Sequence, residues 1–458
     1  MAARTVDENA EYGRTARRRT PRSSHGEWAP APGRADPVGL LEEQNVTRLP
    51  WLVPLRHARM RVSPFTFYRG TARIMAADLA STPVSGLDVQ IGGDAHLSNF
   101  GAYASPERKL VFDANDFDET LRGPWEWDLK RLAVSFTIAG QNLGFPRDDC
   151  REITAHVVRA YREAMASFAA MGFLELWYDH VDVDDLRAAA EMDRAELDRR
   201  ISRFQRRARS KTSLQALRKL TVRVDGGHQI RSDPPVLFPM RDLPAEYDVP
   251  ELEAAALDAL ETYKTTLIDD RRWLLDRYRV IDIGVKVVGV GSVGTRCLVA
   301  LLEGRDQGDP LFLQIKEAGP SVLEEHLPKS PYDNHGRRVV EGQRLIQAQS
   351  DIFLGWTERP GGAHFYVRQL RDWKGSVDVE DGTPDEARFY ARLCGHTMAR
   401  GHARSGDPVA IRAYMGKGDS LDLALTTFSE AYAAQNQDDY DRFLAAIADG
   451  RLECADTG

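Results

Sequence analysis

Apolar and polar residues alternate along several short segments in the first quarter of the chain, as they do along strands that have one buried face. In LDVQI (87–91), Leu87, Val89 and Ile91 alternate with polar side chains. Two apolar runs, NFGAYA and KLVFDA, flank the turn-like sequence SPER. The pattern predicts a half-buried strand followed by a β-hairpin.

A helical period replaces this alternation after the hairpin. From WEWDLKRLAVSFTIAGQNL to about residue 275, apolar positions recur mostly with helical spacing, and VDGGHQIRSDPP (224–235) interrupts them with a loop or small hairpin. The segment 385–406 has the same period, with an apolar stripe from Phe389 to Met398. Both regions are predicted to be helical.

Residues 280–318 have a different composition, rich in Val, Ile, Leu and Gly, with a turn signal at GRDQGD. This composition predicts three antiparallel strands. A helix is expected at 336–350 and a further strand at 364–370. The mixture of helices and antiparallel strands corresponds to an α+β fold class.

These patterns divide the chain into four regions. Residues 1–38 are rich in Arg, Ser, Pro and Gly, which predicts a disordered tail. Residues 39–279 hold the hairpin and a helical region, and residues 280–380 hold a β-rich region. Residues 381–458 hold C-terminal helices that are expected to complete the helical region.

Composition and charge narrow the expected partners. The 458 residues are 42% hydrophobic and carry a formal net charge of -8, so no general affinity for nucleic acid is expected. The basic segment 199–219 is either a solvated helix face or a polyanion site. No apolar run approaches the roughly 20 residues of a membrane-spanning helix, so no membrane partner is expected. The oligomeric state cannot be predicted from these patterns.

The distribution of cysteines bears on the cellular compartment. The four cysteines are far apart and form no metal-ligand pair, which favours a reducing compartment. The cluster Arg17–Arg19 precedes no apolar segment, so it is not typical of a secretory signal. A cytoplasmic location is expected.

The densest cluster of reactive side chains lies at 93–120, in GDAHLSNFGAYASPERKLVFDANDFDET. Asp94 offers a general base, and Asn99, five residues later, offers an amide oxygen of the kind that binds Mg²⁺. The returning strand of the hairpin would deliver Asp113 and Asp116 to the same place. The alternative is an acidic turn whose side chains accept hydrogen bonds from backbone amides. His96 is expected to brace the loop by hydrogen bonds, with metal ligation as the other possibility.

The sequence GDAHLSN resembles the catalytic loop G-D-x-H-x-x-N of the aminoglycoside phosphotransferase and choline kinase branch of the protein-kinase-like superfamily. This resemblance implies that Asp94 acts as the base or orients the hydroxyl, and that Asn99 binds the metal. NDFDE resembles the metal-binding motif of that branch, in which a second aspartate follows about twelve residues later, as Asp128 follows Asp116. This spacing favours Asp116 as the metal ligand, whereas the hairpin geometry favours Asp113. Both remain candidates, and Asp116 is preferred.

A glycine-rich segment, GVGSVG (289–294), matches the pattern G-x-G-x-x-G. Strand-like sequences flank it on both sides, whereas a dinucleotide-binding turn leads directly into a helix. The pattern therefore favours the loop that covers ATP phosphates in kinases. Gly289, Gly291, Ser292 and Gly294 are expected to bind the nucleotide, since glycines let backbone amides approach phosphate oxygens.

Kinases also require a lysine on the third strand and a glutamate on the next helix. LFLQIKEA supplies Lys316, whose alternative role is an edge-strand lysine with its ammonium in water. RRVVEGQRLIQ supplies Glu341, with Glu324 and Glu325 as rivals for the same pairing. The segment 365–375 resembles the strand and hinge that hold the adenine.

The order of these motifs differs from that of an ordinary kinase-like chain, in which the glycine loop comes first. The segment from Asp94 to Asp118 instead precedes the glycine loop by about 170 residues. The usual order returns if reading starts at residue 280. The sequence therefore predicts a protein-kinase-like two-lobe fold that is circularly permuted, which is plausible where chain termini lie close together.

Several landmarks resemble those of a widespread bacterial family known as a domain of unknown function, DUF2252. They run over most of residues 45–405 and read SPFTFYRG, GDAHLSNFG, FDANDFDE, WEWDLKRLA, VGVGSVGTRC, LFLQIKEA and GQRLIQAQSDIFLGW. This second resemblance implies no particular reaction.

The motifs together predict phosphoryl transfer to a hydroxyl of a small molecule, with ATP and Mg²⁺ as cofactors. The alternatives are AMP transfer on the same fold, a pseudokinase that binds nucleotide without catalysis, and a metal-dependent hydrolase built on the acidic cluster alone. Arg69, in FYRG, either faces the phosphates or forms a structural ion pair. The acceptor is expected against the helical region 128–275, where the basic segment would favour an anion.

Overall fold

The protein has an α+β structure in the computed structural model. The model describes residues 4–182, 194–245, 247–359, 362–370, 373, 375 and 382–456, with the backbone alone for 194–198, 200 and 201. The α+β fold class predicted from the sequence is confirmed.

The α-helices of the described residues are, in chain order, α1 (Val6–Arg19), α2 (Pro37–Asn45), α3 (Val53–Met60), α4 (Pro64–Tyr68), α5 (Ala72–Leu79), α6 (Trp125–Asn142), α7 (Arg147–Phe168), α8 (Phe173–Tyr178), α9 (Arg194–Arg209), α10 (Ser213–Leu220), α11 (Val249–Lys264), α12 (Asp269–Leu275), α13 (His335–Ile346), α14 (Pro384–Ser405), α15 (Pro408–Met415) and α16 (Ser420–Ala448).

The strands are β1 (Asp88–Ile91), β2 (Phe100–Ala104), β3 (Leu110–Ala114), β4 (Leu121–Pro124), β5 (Thr221–Val224), β6 (Gly227–Ile230), β7 (Leu237–Pro239), β8 (Arg279–Lys286), β9 (Cys297–Glu303), β10 (Pro310–Ala318), β11 (Gly355–Glu358) and β12 (His364–Gln369). The strand, hairpin and helix positions predicted from periodicity agree with these bounds to within a few residues.

Helix α6 lies at the centre of the helical lobe. Its residues are buried from Trp125 to Gly140, and it contacts α7, α14 and α16. A helix that is buried around its whole circumference belongs to the middle of a large core. Trp125 stacks on Tyr161 of α7 with ring centroids 5.5 Å apart. Because α6 follows β4 directly and β4 pairs with β1, it begins beside the turn that carries Asp94.

The second lobe is built on a six-stranded antiparallel sheet with the order β11-β12-β10-β9-β8-β7. Leu313 and Ile315 of β10 belong to the core that α11 and α12 cover. Successive side chains of a strand point to opposite faces. Gln314 and Lys316 therefore point away from α11, toward the helical lobe.

The boundary between the two lobes differs from the one predicted at residue 279. Helices α11 and α12 pack on the sheet, and α10 packs against its other face through Leu217 and Leu220. Residues from about 213 to 279 therefore belong with the sheet and not with the helical lobe. Helix periodicity predicts that a segment is helical, but it does not show which lobe its apolar stripe covers.

The N-terminal region is helical where the composition predicts a disordered tail. Helix α1 packs against α15, and a Cβ atom at Gly13 would lie 2.0 Å from the carbonyl oxygen of Ala410. Arg34 forms ion pairs with Asp78 (2.7 Å) and Asp439 (2.6 Å). Two buried carboxylates thus neutralise Arg34 and help to hold this polar segment against the helical lobe.

None of the helices among the described residues is both long enough and apolar enough to cross a lipid bilayer.

Replacement of Gly13 tests whether the N-terminal helix is docked. Gly13→Ala would press a methyl group against the backbone of α15, and overpacking of this kind costs about 1–3 kcal/mol. We expect a lower midpoint of denaturant unfolding. Gly172→Ala is the control, because a Cβ there meets nothing within 4 Å. Equal unfolding midpoints for the two variants would show that α1 is not packed on α15.

Candidate functional site

A cleft of about 520 Å³, called the large chamber below, opens between the sheet and the β2–β3 hairpin. A small chamber of about 70 Å³ adjoins it next to Asp94. The side chains or backbone of five residues line both chambers: Arg69, Asn99, Asp116, Gly289 and Ser292. The two chambers therefore form one continuous site.

Asp94 lies on the turn that follows β1 and lines the small chamber, with 20% of its side chain exposed. Arg131 of α6 donates through Nε to Oδ1 of Asp94 at 2.9 Å, and its Nη2 lies 2.7 Å from the same oxygen. Burial raises the pKa of Asp94 to about 7, although the Arg131 charge opposes the rise. A carboxylate with a pKa near neutrality suits a general base.

The loop that carries Asp94 is held by the first turns of α6. Asp128 accepts hydrogen bonds from the backbone amides of Gly92 (2.7 Å) and Gly93 (2.9 Å). Gly93 has a φ of 81°, which favours glycine. Helix α6 thus supplies both the carboxylate that holds the loop and the guanidinium that orients Asp94.

Asn99 and Asp116 lie side by side at the junction of the chambers. The Asn99 Nδ2 donates to the carbonyl oxygen of Asp94 at 2.8 Å, and the Asn115 amide donates to the carbonyl oxygen of Asn99 at 2.9 Å. These bonds commit the amide nitrogen of Asn99 to the loop. The Asp116 carboxylate is 32% exposed, and its Oδ1 lies 3.9 Å from Nζ of Lys316.

Asp113, the second candidate for metal binding, lies outside both chambers. It pairs with Gly101 across the hairpin, and its side chain is 1% exposed. Its Oδ2 is 2.6 Å from Nη2 of Arg400 and accepts a hydrogen bond from the Ala348 amide at 2.9 Å. The structure therefore does not support Asp113 as a metal ligand, because the strand register points its carboxylate toward α14.

Lys316 reaches the site from β10 and is 2% exposed. Its ammonium forms an ion pair with Asp118, whose other oxygen accepts a hydrogen bond from the Tyr366 hydroxyl at 2.8 Å. Although burial opposes the charge, Asp116 and Asp118 raise the pKa of Lys316 above its ordinary value. Lys316 therefore stays charged. Its burial and its position on a central strand of the sheet exclude the alternative of a solvated edge-strand lysine.

The glutamate predicted to pair with Lys316 is not beside it. Glu341 lies 3.6 Å from Arg344 on the same helix, and neither chamber includes it. Glu324 and Glu325 face other arginines. Helix α13 presents Gln343 to the large chamber instead, and residues two positions apart on a helix do not share a face.

The glycine segment forms the connection between β8 and β9, as predicted for a phosphate-covering loop. Gly289, Gly291 and Ser292 line the site, and the Ser292 hydroxyl donates to Asp118 at 3.2 Å. Gly294 lines neither chamber. Its φ is 92°, and a Cβ there would lie 2.9 Å from Cβ of Arg48, so this glycine serves the turn rather than a ligand.

His96 is buried beside Asp94, with its Nε2 3.8 Å from Oδ2 of Asp94. Its Nδ1 has no hydrogen-bond partner among the described residues. Burial lowers the pKa of His96 far below its ordinary value, so the ring is neutral. The bracing expected of this residue comes from its backbone, which bonds Asp94 and Asn99 at 2.9 Å each.

The predicted hinge lies partly outside the described residues, which omit 371, 372 and 374. Gln369 and Leu370 line the large chamber, but their backbone amides already donate to Asp351 and Phe312. These two amides are therefore not available to an adenine ring.

The large chamber is electropositive. Among the described residues, five cationic and two carboxylate side chains line it, namely Arg69, Arg108, Lys286, Lys316, Arg368, Asp116 and Asp351. Such a surplus of cations favours a polyphosphate ligand.

None of the described residues of the basic segment 199–219, which was predicted to favour an anionic acceptor, lines either chamber. Arg209 lies over the ring of Trp373 with 5.3 Å to the centroid, and Arg108 lies over the same ring at 4.3 Å. The described lining residues fall at 44–119 and 286–370. The helical region expected to hold the acceptor thus contributes none of them.

The sequence motifs did not identify Asp118 and Arg131, which pair with Lys316 and Asp94 in the site. Asp118 stands two residues after Asp116, inside the acidic segment NDFDE, and this position was the only signal for it. Arg131 follows the Asp128 landmark by one helical turn, so a position on the same helix face was readable from spacing.

A divalent cation fits the donor set at the junction of the chambers. Asn99 and Asp116 offer an amide oxygen and a partly exposed carboxylate, and Mg²⁺ is usually held by one or two such groups together with substrate phosphates. The described residues contain no group of three or more His, Cys, Asp or Glu side chains placed to hold a metal ion. The donor set therefore suits a cation that arrives with phosphates.

Comparison with known proteins gives a family but no named relative. No curated protein and no solved structure matches the chain. One family model matches residues 48–446, and its description reads "uncharacterized protein conserved in bacteria". Because this match covers most of the chain, the protein belongs to the bacterial DUF2252 family.

Proposed function

We propose that the protein transfers the γ-phosphoryl group of ATP to a hydroxyl of a small molecule, in a magnesium-dependent reaction on a circularly permuted kinase-like architecture. One observation carries the proposal. Asp94, Asn99 and Asp116 share a single cleft with the glycine loop and Lys316, although Asp94 and Lys316 are more than 200 residues apart in sequence.

The end of α14 supports the permuted architecture. In an ordinary kinase-like order, the helix after the hinge leads into the catalytic loop. Here Ser405, the last residue of α14, accepts a hydrogen bond from the Gln90 amide of β1 at 3.1 Å. A Cβ at the next residue, Gly406, would lie 2.5 Å from Cγ1 of Val89. The two elements are thus in contact, as a permuted connection requires.

The residues divide the chemistry among them. The backbone of Gly289 and Gly291 approaches the phosphates, and Lys316 neutralises their charge. The acceptor hydroxyl gives its proton to Asp94 as its oxygen bonds to the γ-phosphorus, and the bond from phosphorus to the bridging oxygen breaks. Asn99 and Asp116 would hold Mg²⁺, which supplies charge neutralisation to the phosphates when bound.

The small chamber favours a small acceptor. Its volume is about 70 Å³. Gln44, Arg69 and Gly70, which precede β1 in sequence, line part of it. A polypeptide segment would need an open groove beside Asp94. The lining is mainly polar, which favours an acceptor that carries several hydrogen-bonding groups.

Nucleotide binding and turnover test the proposal. We expect the wild type to bind ATP only with Mg²⁺ and to release ADP. Lys316→Met should weaken ATP binding at least tenfold, because it removes the buried ammonium that is proposed to contact the phosphates. Glu341→Gln is the matched control and should bind ATP as the wild type does, since Glu341 lies outside both chambers.

Mass spectrometry of the products separates the alternatives. ADP with a phosphorylated acceptor supports the proposal, whereas an acceptor that gains AMP with release of pyrophosphate indicates adenylyl transfer. ATP binding without turnover indicates a pseudokinase. Hydrolysis that persists in Lys316→Met indicates a metal-dependent hydrolase, and no ATP binding by the wild type contradicts the proposal.

The rate should depend on pH through Asp94. Burial raises the pKa of this carboxyl to about 7, so the proton-accepting form is lost as the pH falls below that value. We expect kcat/KM to fall about tenfold per pH unit on the acid side. Asp94→Asn should lower kcat on the order of 10²–10⁴-fold. A rate that is flat between pH 5.5 and 8.5 would exclude Asp94 as the base.

A further inference from the structure

Arg69 lies where the two chambers meet, and we propose that its guanidinium binds the phosphoryl group while it is transferred. This inference rests on the proposed function, since it assigns a ligand to another residue of the same site. Arg69 caps the C-terminal end of α4 and lines both chambers, together with Asn99 and Asp116. It precedes β1 and Asp94 in sequence.

Two buried guanidiniums fix the backbone on either side of Arg69. Arg131 donates to the carbonyl oxygen of Tyr68 at 2.8 Å, and Arg56 donates to the carbonyl oxygen of Gly70 at 3.0 Å. Arg131 is also the residue that holds Asp94. One guanidinium therefore sets the position of the base and of the backbone that carries Arg69.

The glycine loop lies directly against this backbone. A Cβ atom at Gly291 would be 3.5 Å from the carbonyl oxygen of Arg69. A Cβ at Gly70 would be 2.9 Å from Sδ of Met60, so the turn after α4 is closely packed as well. Arg69 thus lies on a fixed backbone that borders the glycine loop and lines both chambers.

The charges of the small chamber explain why an arginine is needed there. Four carboxylates line it, from Asp94, Asp116, Asp118 and Glu119, and Arg69 is its one cationic side chain among the described residues. The ammonium of Lys316 lies nearer the large chamber and is already paired with Asp118. Arg131 and Lys316 already pair with Asp94 and Asp118, and Arg69 is the further cation on this lining that a phosphoryl group near Asp94 would meet.

The step requires charge neutralisation at the non-bridging oxygens. The acceptor oxygen gives its proton to Asp94 and bonds to the γ-phosphorus, the bond to the bridging oxygen breaks, and ADP leaves with that electron pair. The planar fork of Arg69 donates to the non-bridging oxygens throughout, a geometry that a lysine cannot reproduce. Arginines that act in this way in other phosphoryl-transfer enzymes contribute about 10³–10⁵-fold to the rate.

Binding of a transition-state analogue tests the inference without knowledge of the acceptor. ADP with Mg²⁺ and aluminium fluoride mimics the phosphoryl group during its transfer. Titration calorimetry on the full chain would compare the affinity for this complex with the affinity for ADP and Mg²⁺ alone. The wild type should prefer the fluoride complex. Arg69→Ala and Arg69→Lys should each lose on the order of 100-fold of that preference, while their affinity for ADP and Mg²⁺ stays within about threefold of wild type.

Arg73→Ala is the matched control. Arg73 lies four residues away and pairs with Glu43 and Glu325 outside both chambers, so its removal should leave the preference unchanged. The inference is overturned if the wild type binds ADP and Mg²⁺ but shows no preference, or if Arg69→Lys keeps it. Failure of the wild type to bind ADP and Mg²⁺ at all would instead overturn the proposed function.

Discussion

The carboxylate of Asp118 joins parts of the chain that are far apart in sequence. It forms an ion pair with the buried Lys316 of β10, and it accepts hydrogen bonds from Tyr366 of β12 and Ser292 of the glycine loop. Removing Asp118 would leave the buried ammonium of Lys316 without this partner, which makes these contacts constraints on the arrangement. They hold the sheet, the glycine loop and the segment that follows the β2–β3 hairpin in one arrangement. The cleft is the space between these three parts.

The segment between α2 and β1 completes this arrangement by packing against the glycine loop. Arg48 and Arg59 donate to the carbonyl oxygens of Val293 and Val288, and Val290 lies in a core with Phe67 of α4. The glycine loop is therefore packed between two layers of protein instead of lying open above the cleft. The same region encloses the space next to Asp94, which explains why the proposed acceptor is small.

Much of the fold was predictable because alternation and helical periodicity report directly on buried faces. The site was predictable as far as its motifs were: Asp94, Asn99, Asp116 and Lys316 come together, but Glu341 does not join them. Pairing between distant side chains depends on register and helix rotation, which one sequence does not reveal. The N-terminal segment was predicted to be a tail for the same reason, since Asp439, a buried partner of its Arg34, lies 405 residues away in sequence.

The central claim is that a nucleotide with its metal ion lies between the glycine loop and Asp116. A crystal structure of the protein with Mn²⁺ and a non-hydrolysable ATP analogue tests it most directly, because the anomalous signal of manganese locates the ion. The account predicts a manganese peak within ligand distance of Asn99 and Asp116, with the phosphates beside Gly289. A peak at Asp113, or a nucleotide bound outside the two chambers, would contradict it.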